Sequence, residues 1–161
     1  MEERINIGFE EDPSCEIPQV IIKADNKTEL VDRIITAIEQ CVSRENEKVI
    51  LYEGDKLHFT DPKDIIRVYT EKRKLMVCTS EGLFRSRLTL KEFESKLDDT
   101  VFTRISRFEV INIKKVSRFD LSISGTIKVT FDDGTDTWVA RRFVGEIGRK
   151  IRAEENKGGK I

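Results

Sequence analysis

Few residues of this chain could do chemistry, and most of those that could are cations. Arg104 and Arg107 stand three apart in the stretch VFTRISRFEVINIKKV (Val101–Val116), and Lys114, Lys115 and Arg118 follow. About 25 residues later, Arg141 and Arg142 occur as a pair in Trp138–Phe143. An arginine guanidinium is a planar fork that donates two hydrogen bonds at once, which suits phosphate oxygens and the guanine edge. Cations at strand ends also project from a rigid sheet. The same residues could instead form a solvated basic edge that blocks strand-to-strand aggregation. On charge pattern alone the two readings weigh equally.

No catalytic set assembles. His58 is the only histidine, with no nucleophile placed for it, and it reads as a strand-surface or half-buried residue. A zinc site needs about four Cys or His ligands at short spacings. The four such residues here, Cys15, Cys41, His58 and Cys78, are scattered. Asp98-Asp99 and Asp132-Asp133 have the character of turn formers. Neither GxxxxGK[ST] nor GxGxxG occurs, and Gly158-Gly159 follows no strand. These observations predict no enzyme, no metal and no cofactor.

The net charge of −1 hides an asymmetry. Residues 1–60 hold 7 Lys/Arg against 14 Asp/Glu, whereas residues 102–152 hold 11 against 6. A near-neutral total therefore leaves a polyanionic partner open, provided that the C-terminal part meets it. At 161 residues the chain fits one domain, or one domain with a small attachment. With 38% hydrophobic and 37% charged residues and no run of about 18 apolar residues, membrane insertion is not expected. The acidic start, MEERINIGFEEDPS, lacks an apolar signal core. Three cysteines at no metal-like spacing read as reduced thiols, and the expected location is cytoplasmic.

Hydrophobic periodicity then supplies the elements. Arg4–Phe9 and Ile17–Ala24 alternate and read as strands. Thr28–Ser43 carries apolar residues three and four apart and reads as a helix, with Asn26 and Glu29 as its cap. With the strand Val49–Glu53, residues 1–55 form an expected ββαβ extension for packing or assembly. From Lys56 the texture is mainly β. Strands are expected at 57–60, 65–70, 74–79, 83–88, on both sides of the Arg104–Arg107 turn, and at 116–123, 126–131 and 135–139. Thr89-x-x-Glu92 is a capping box for a short helix. Phe143, Ile147 and Ile151 predict a C-terminal helix weakened by Gly145 and Gly148, with a flexible tail over 153–161.

Several motifs coincide over residues 57–151. Phe102–Val116 resembles the signature F-x-R-[IV]-[HS]-[RK]-S-x-[IVL]-V-N-x-x-x-[IV] of the LytTR-type DNA-binding domain family. Phe102, Arg104, Ile105, Ser106, Arg107, Val110, Ile111, Asn112 and Val116 fall on it. Asp133-Gly134 followed by Val139-Ala140-Arg141-Arg142-Phe143 is similar to that family's closing motif. The Thr89–Leu97 helix and the Asp64–Tyr69 strand stand where the family places theirs. Phe108 departs from the usual Ser, and Ala140 from the usual Ser before the arginines.

The resemblance implies a mainly β (α+β) domain over 56–152, an elongated fold of small antiparallel sheets with short helices. It implies a transcriptional regulator whose loops read successive grooves of duplex DNA at imperfect direct repeats, as a homodimer or as two copies on DNA. Carried over by position, Arg107, Arg142 and Arg73 would read bases. Arg104, Arg141, Lys72 and Lys114 would contact phosphates. The alternatives are a protein-interaction module or a structured-RNA binder on the same scaffold.

Overall fold

The period-2 apolar pattern that begins at Val49 builds most of this molecule, seen in a computed structural model that describes residues 5–158. The chain divides between Gln40 and Cys41 into two units, each described by itself.

In the first unit, the strands expected at Arg4–Phe9 and Ile17–Ala24 do not form; Arg4 lies outside the described residues. Alternation marks a surface that could be half buried, but a strand exists only once a neighbour supplies its hydrogen bonds. Among the described residues these two segments have no ladder partner. The helix is present as α1 (Glu29–Asn46). Its cap is Thr28 rather than Asn26. The Thr28 hydroxyl accepts from the Val31 N–H at 3.4 Å, while the Asn26 N–H is taken by the Asp25 carboxylate. The expected ββαβ extension therefore keeps only its helix before residue 49.

The expected last strand of that extension, β1 (Val49–Glu53), is instead part of the main sheet. It pairs with β2 (Lys56–Thr60) and touches β5 (Gly82–Ser86). β3 (Ile65–Glu71), β4 (Lys74–Thr79), β6 (Phe102–Ser106) and β7 (Glu109–Asn112) complete a seven-stranded antiparallel sheet in the order β2-β1-β5-β4-β3-β7-β6. A second sheet has the order β10-β9-β8, from β8 (Val116–Asp120), β9 (Ile127–Phe131) and β10 (Asp136–Val139). The architecture is mainly β with few helices, as expected, although α1 and α3, at 18 and 15 residues, are not short.

Each face of the large sheet has its own core. Val49, Leu51, Ile65, Val68, Leu75, Val77, Phe84, Phe102 and Val110 pack against Leu90, Phe93 and Leu97 in and after α2 (Leu90–Glu94). The capping box of α2 forms as its spacing predicts: Thr89 accepts from the Glu92 N–H, and the Glu92 carboxylate accepts from the Thr89 N–H at 2.8 Å. On the opposite face, Ile66, Ile105 and Ile111 meet Ile127, Val129, Phe131 and Val139 of the small sheet and Ile147 of α3 (Val144–Gly158). Ile105 and Ile111 are fully buried, which stabilises the fold by roughly 2–3 kcal/mol each. Register irregularities at Ile65/Arg67 and Arg104/Ser106 help the same strands serve both cores.

α3 runs on to Gly158, past the expected end at Ile151, so residues 153–158 of the expected tail are helical; residues 159–161 lie outside the described residues. The residues after Ile151 are good helix formers, and Lys157 pairs with Glu154 at 3.1 Å. A Cβ at Gly145 or Gly148 would meet nothing within 4 Å, so neither glycine marks a close approach. Lys150 of α3 donates to the carbonyls of Asp99 (2.6 Å) and Phe102 (2.9 Å), pinning the start of β6.

One buried polar side chain ties the strands together end to end. Asn112 is almost wholly buried, its amide N–H donates to the Ile65 carbonyl at 2.9 Å, and its oxygen accepts from the Lys114 N–H at 2.9 Å. Asn112→Ala removes the buried bond to the Ile65 carbonyl and the half-buried one from the Lys114 N–H. The expected loss is about 1–3 kcal/mol of unfolding free energy, read as a lower urea midpoint at unchanged slope.

Candidate nucleic-acid interface

Two tight hairpins carry cations at their tips. β3 and β4 are joined by Lys72 and Arg73, with Glu71 paired to Lys74. Both residues have left-handed backbone, at φ 48° and 65°. That is the two-residue turn whose twist matches a hairpin, and Asn-Gly is its relaxed sequence. Lys-Arg there costs about 1 kcal/mol per residue in Cβ crowding. β6 and β7 are joined by Arg107 and Phe108, with Ser106 paired to Glu109.

Pairing between β3 and β7 sets these tips side by side. The strands are antiparallel with Tyr69 opposite Glu109, so the end of β3 lies beside the start of β7. The Thr70 N–H donates to the Phe108 carbonyl at 2.8 Å, which carries the contact into the turn itself. The third cationic element reaches the same end. The Ala140 N–H donates to the Ile105 carbonyl at 2.8 Å, and Arg141 and Arg142 follow in a short 3-10 turn, Arg141–Phe143. The guanidinium of Arg141 lies over Gly125, where a Cβ would sit 3.7 Å from Nε, and Arg142 stacks 4.7 Å from the ring centroid of Phe143.

Two carboxylates near this end, Glu109 and Glu94, are occupied internally, whereas Glu71 beside the Lys72-Arg73 turn is exposed. Glu109, half-buried, accepts from Arg67 at 3.1 Å and from the Thr137 hydroxyl of β10 at 2.8 Å. Arg67 lies 4.8 Å from the Tyr69 ring centroid and 5.7 Å from that of Phe131. Glu94 of α2 takes Arg104 at 2.6 Å. Arg104 also donates to the Arg107 carbonyl at 3.3 Å, so it braces the β6–β7 turn.

The sequence-predicted cations thus fall into three groups. Lys72, Arg73, Arg107, Arg141 and Arg142 are exposed at one end of the sheet and form no ion pair among the described residues. Arg104 is bound by Glu94 beneath them. Lys114 sits beyond the other end of β7, roughly 10 Å or more from the tips by strand rise. Sequence reasoning missed the Arg67–Glu109–Thr137 link and the Glu94 partner of Arg104. Both join residues on different elements, and the local signal was a carboxylate within a strand, Glu109, or at a helix end, Glu94.

Nothing else among the described residues resembles a catalytic or metal centre. No group of three or more His, Cys, Asp or Glu is placed to hold a metal ion. His58 is half-buried on β2, 3.2 Å from Glu53, with its ring centroid 4.7 Å from that of Phe84. Burial raises the pKa of the Cys78 thiol, with Asp133 adding to the rise, so it packs as a neutral thiol. The hydrogen bond from the Thr135 hydroxyl holds the Asp133 carboxyl below its usual range and fixes the β9–β10 turn. No described helix is long and apolar enough to cross a membrane.

Residues 55–152 match the sequence profile of the LytTr DNA-binding domain. The chain belongs to the LytTR family. Its β architecture is similar to that of a LytTr DNA-binding domain from Bacillus cereus, with a TM-score of 0.63 at 18% identity over 66% of this chain and 97% of that one. Among curated relatives, the sensory transduction protein LytT of Bacillus subtilis is 29% identical over 78% of this chain and 52% of its own length. LytT of Enterococcus faecalis is 27% identical over 66% of this chain and 44% of its own length. A Staphylococcus aureus (strain MRSA252) protein, named an uncharacterized HTH-type transcriptional regulator, is 25% identical over 81% of this chain and 86% of its own. The LytTR chain described here thus spans about half the length of the LytT relatives.

The strained turn yields a direct test of the geometry. Joint replacement of Lys72→Asn and Arg73→Gly is expected to raise unfolding free energy by about 1–2 kcal/mol in urea denaturation. An unchanged or lower stability would mean that the two residues do not hold left-handed backbone.

Proposed function

We propose that this chain is a sequence-specific duplex-DNA-binding transcriptional regulator. The observation that carries the reading is the convergence of three cationic turns at one end of the large sheet, around Arg73, Arg107 and Arg141-Arg142. Backbone hydrogen bonds fix these turns to one another, so their spacing is set before any ligand arrives. Sites of this kind lose little freedom on binding. In the described element order no two α-helices follow one another, so a helix-turn-helix reader is not available, and the hairpin tips are the rigid projections that could enter grooves.

In this reading Arg73, Arg107 and Arg142 contact base edges, and Lys72 and Arg141 contact phosphates. Arg104 acts through the turn that it braces, as a positioning residue. Lys114 is left outside the contact. Two copies would occupy imperfect direct repeats. The N-terminal unit would serve assembly, since no residue of its described part, 5–40, is buried, and a unit so short does not stabilise itself. A regulator of this kind works in the cytoplasm beside its promoter.

Selection of genomic fragments with purified protein at about 150 mM salt gives the site needed for the test. Arg107→Ala and Arg142→Ala should each weaken binding there by about 1–3 kcal/mol and relax preference at one position. Lys72→Ala should weaken all sites alike and reduce the dependence of log K on log salt by about one. Lys114→Ala should leave affinity unchanged. Equal losses for Arg107→Ala and Lys114→Ala would overturn the assignment of the interface. Selection of structured RNA in place of duplex DNA would overturn the function.

A further inference from the structure

Phe108 is an anomaly at the tip of the β6–β7 hairpin. The residue is 61% exposed in a turn otherwise made of charged and polar residues. A turn position facing water calls for Ser, Asn, Asp or Gly. The large aromatic there exposes apolar surface that gains nothing from solvent. Its backbone is held on both sides. The Phe108 N–H donates to the Ser106 hydroxyl at 3.1 Å, and its carbonyl accepts from the Thr70 N–H at 2.8 Å. The ring contributes to neither buried cluster of the large sheet. The structure thus presents an aromatic side chain on a fixed backbone, one residue from Arg107 and beside the Lys72-Arg73 tip.

We infer that Phe108 is a specificity residue that contacts the C5-methyl group of a thymine next to the base read by Arg107. This rests on the DNA-reading function proposed above. An arginine that takes a guanine edge does so in the major groove, and its neighbour in a two-residue turn enters the same groove. The base edges there offer hydrogen-bonding groups and one apolar group, the thymine methyl. Phe108 carries no hydrogen-bonding side-chain atom, so that methyl is the base-edge feature its ring can match. The contact would distinguish thymine from cytosine, whose edge at that position carries a donor and no methyl.

The test uses the duplex selected by the unaltered protein. Each thymine is replaced in turn by deoxyuridine, which removes the methyl and keeps the hydrogen-bonding edge. One thymine should emerge whose replacement weakens binding about fourfold, the effect of one buried methyl group. Phe108→Ala and Phe108→Ser should bind the thymine and deoxyuridine duplexes equally and at the weaker level. Phe108→Leu should keep part of the difference. Because the ring is exposed, these variants should unfold at the urea midpoint of the parent. If no replacement matters, or if Phe108→Ala remains as methyl-sensitive as the parent, the inference fails while DNA binding stands. Loss of affinity by Phe108→Ala that is equal for both duplexes without parental methyl dependence also overturns it. Failure of the parent to select any duplex is the separate failure of the underlying function.

Discussion

The antiparallel pairing of β3 with β7 is the constraint on which this molecule depends. It joins the β3–β4 hairpin to the β6–β7 hairpin at the sheet's edge, across nearly forty residues of intervening chain. Without it the Lys72-Arg73 turn would stay in the group β2-β1-β5-β4-β3 and the Arg107-Phe108 turn would belong to a separate β6–β7 hairpin, and a lone hairpin is marginally stable in water. With it, one hydrogen bond from Thr70 to Phe108 sets the separation of the two tips. Each strand of the pair also feeds both cores: Val68 and Val110 face α2, whereas Ile66 and Ile111 face the small sheet. Position and stability therefore rest on the same backbone ladder.

Buried polar groups lock the arrangement. The Arg67–Glu109–Thr137 link joins β3, β7 and β10, so the small sheet is fixed to the large one close to the cationic end. A buried ion pair is weak evidence for net stability, because desolvation of both charges offsets much of their attraction. Its directional bonds fix register in a way that the surrounding Ile and Val contacts do not. The same link neutralises Glu109, a carboxylate next to the Arg107-Phe108 turn, and Glu94 is neutralised by Arg104 in turn. Lys72, Arg73, Arg107, Arg141 and Arg142 project outward at this end, against one exposed carboxylate beside them, Glu71, although the chain as a whole carries a net charge of −1.

How much was legible in the sequence differed with the range of the interaction. The capping box at Thr89–Glu92, the strand Lys74–Thr79 and the hairpin around Arg107 are local, and they were readable within a residue or two. The convergence of Arg73, Arg107 and Arg141-Arg142 depends on strand order, which periodicity does not encode; the family resemblance supplied the expectation. Arg104 read like its neighbours as an outward cation because its partner, Glu94, lies ten residues back on another element. The left-handed backbone at Lys72-Arg73 was hidden because neither residue announces it as Asn or Gly would. The segments 5–9 and 17–24 erred the other way, showing a strand pattern with no partner strand among the described residues.

The central claim is that three turns distant in sequence act as one DNA-facing surface. Amide chemical-shift mapping during titration with the selected duplex tests it most directly. The amides of residues 72–73, 107–108 and 141–142 are expected to shift together along one binding curve, while those of β1 and β2 stay in place. Shifts confined to one turn, or centred on β1, β2 or the Lys114 end of β7, would contradict it.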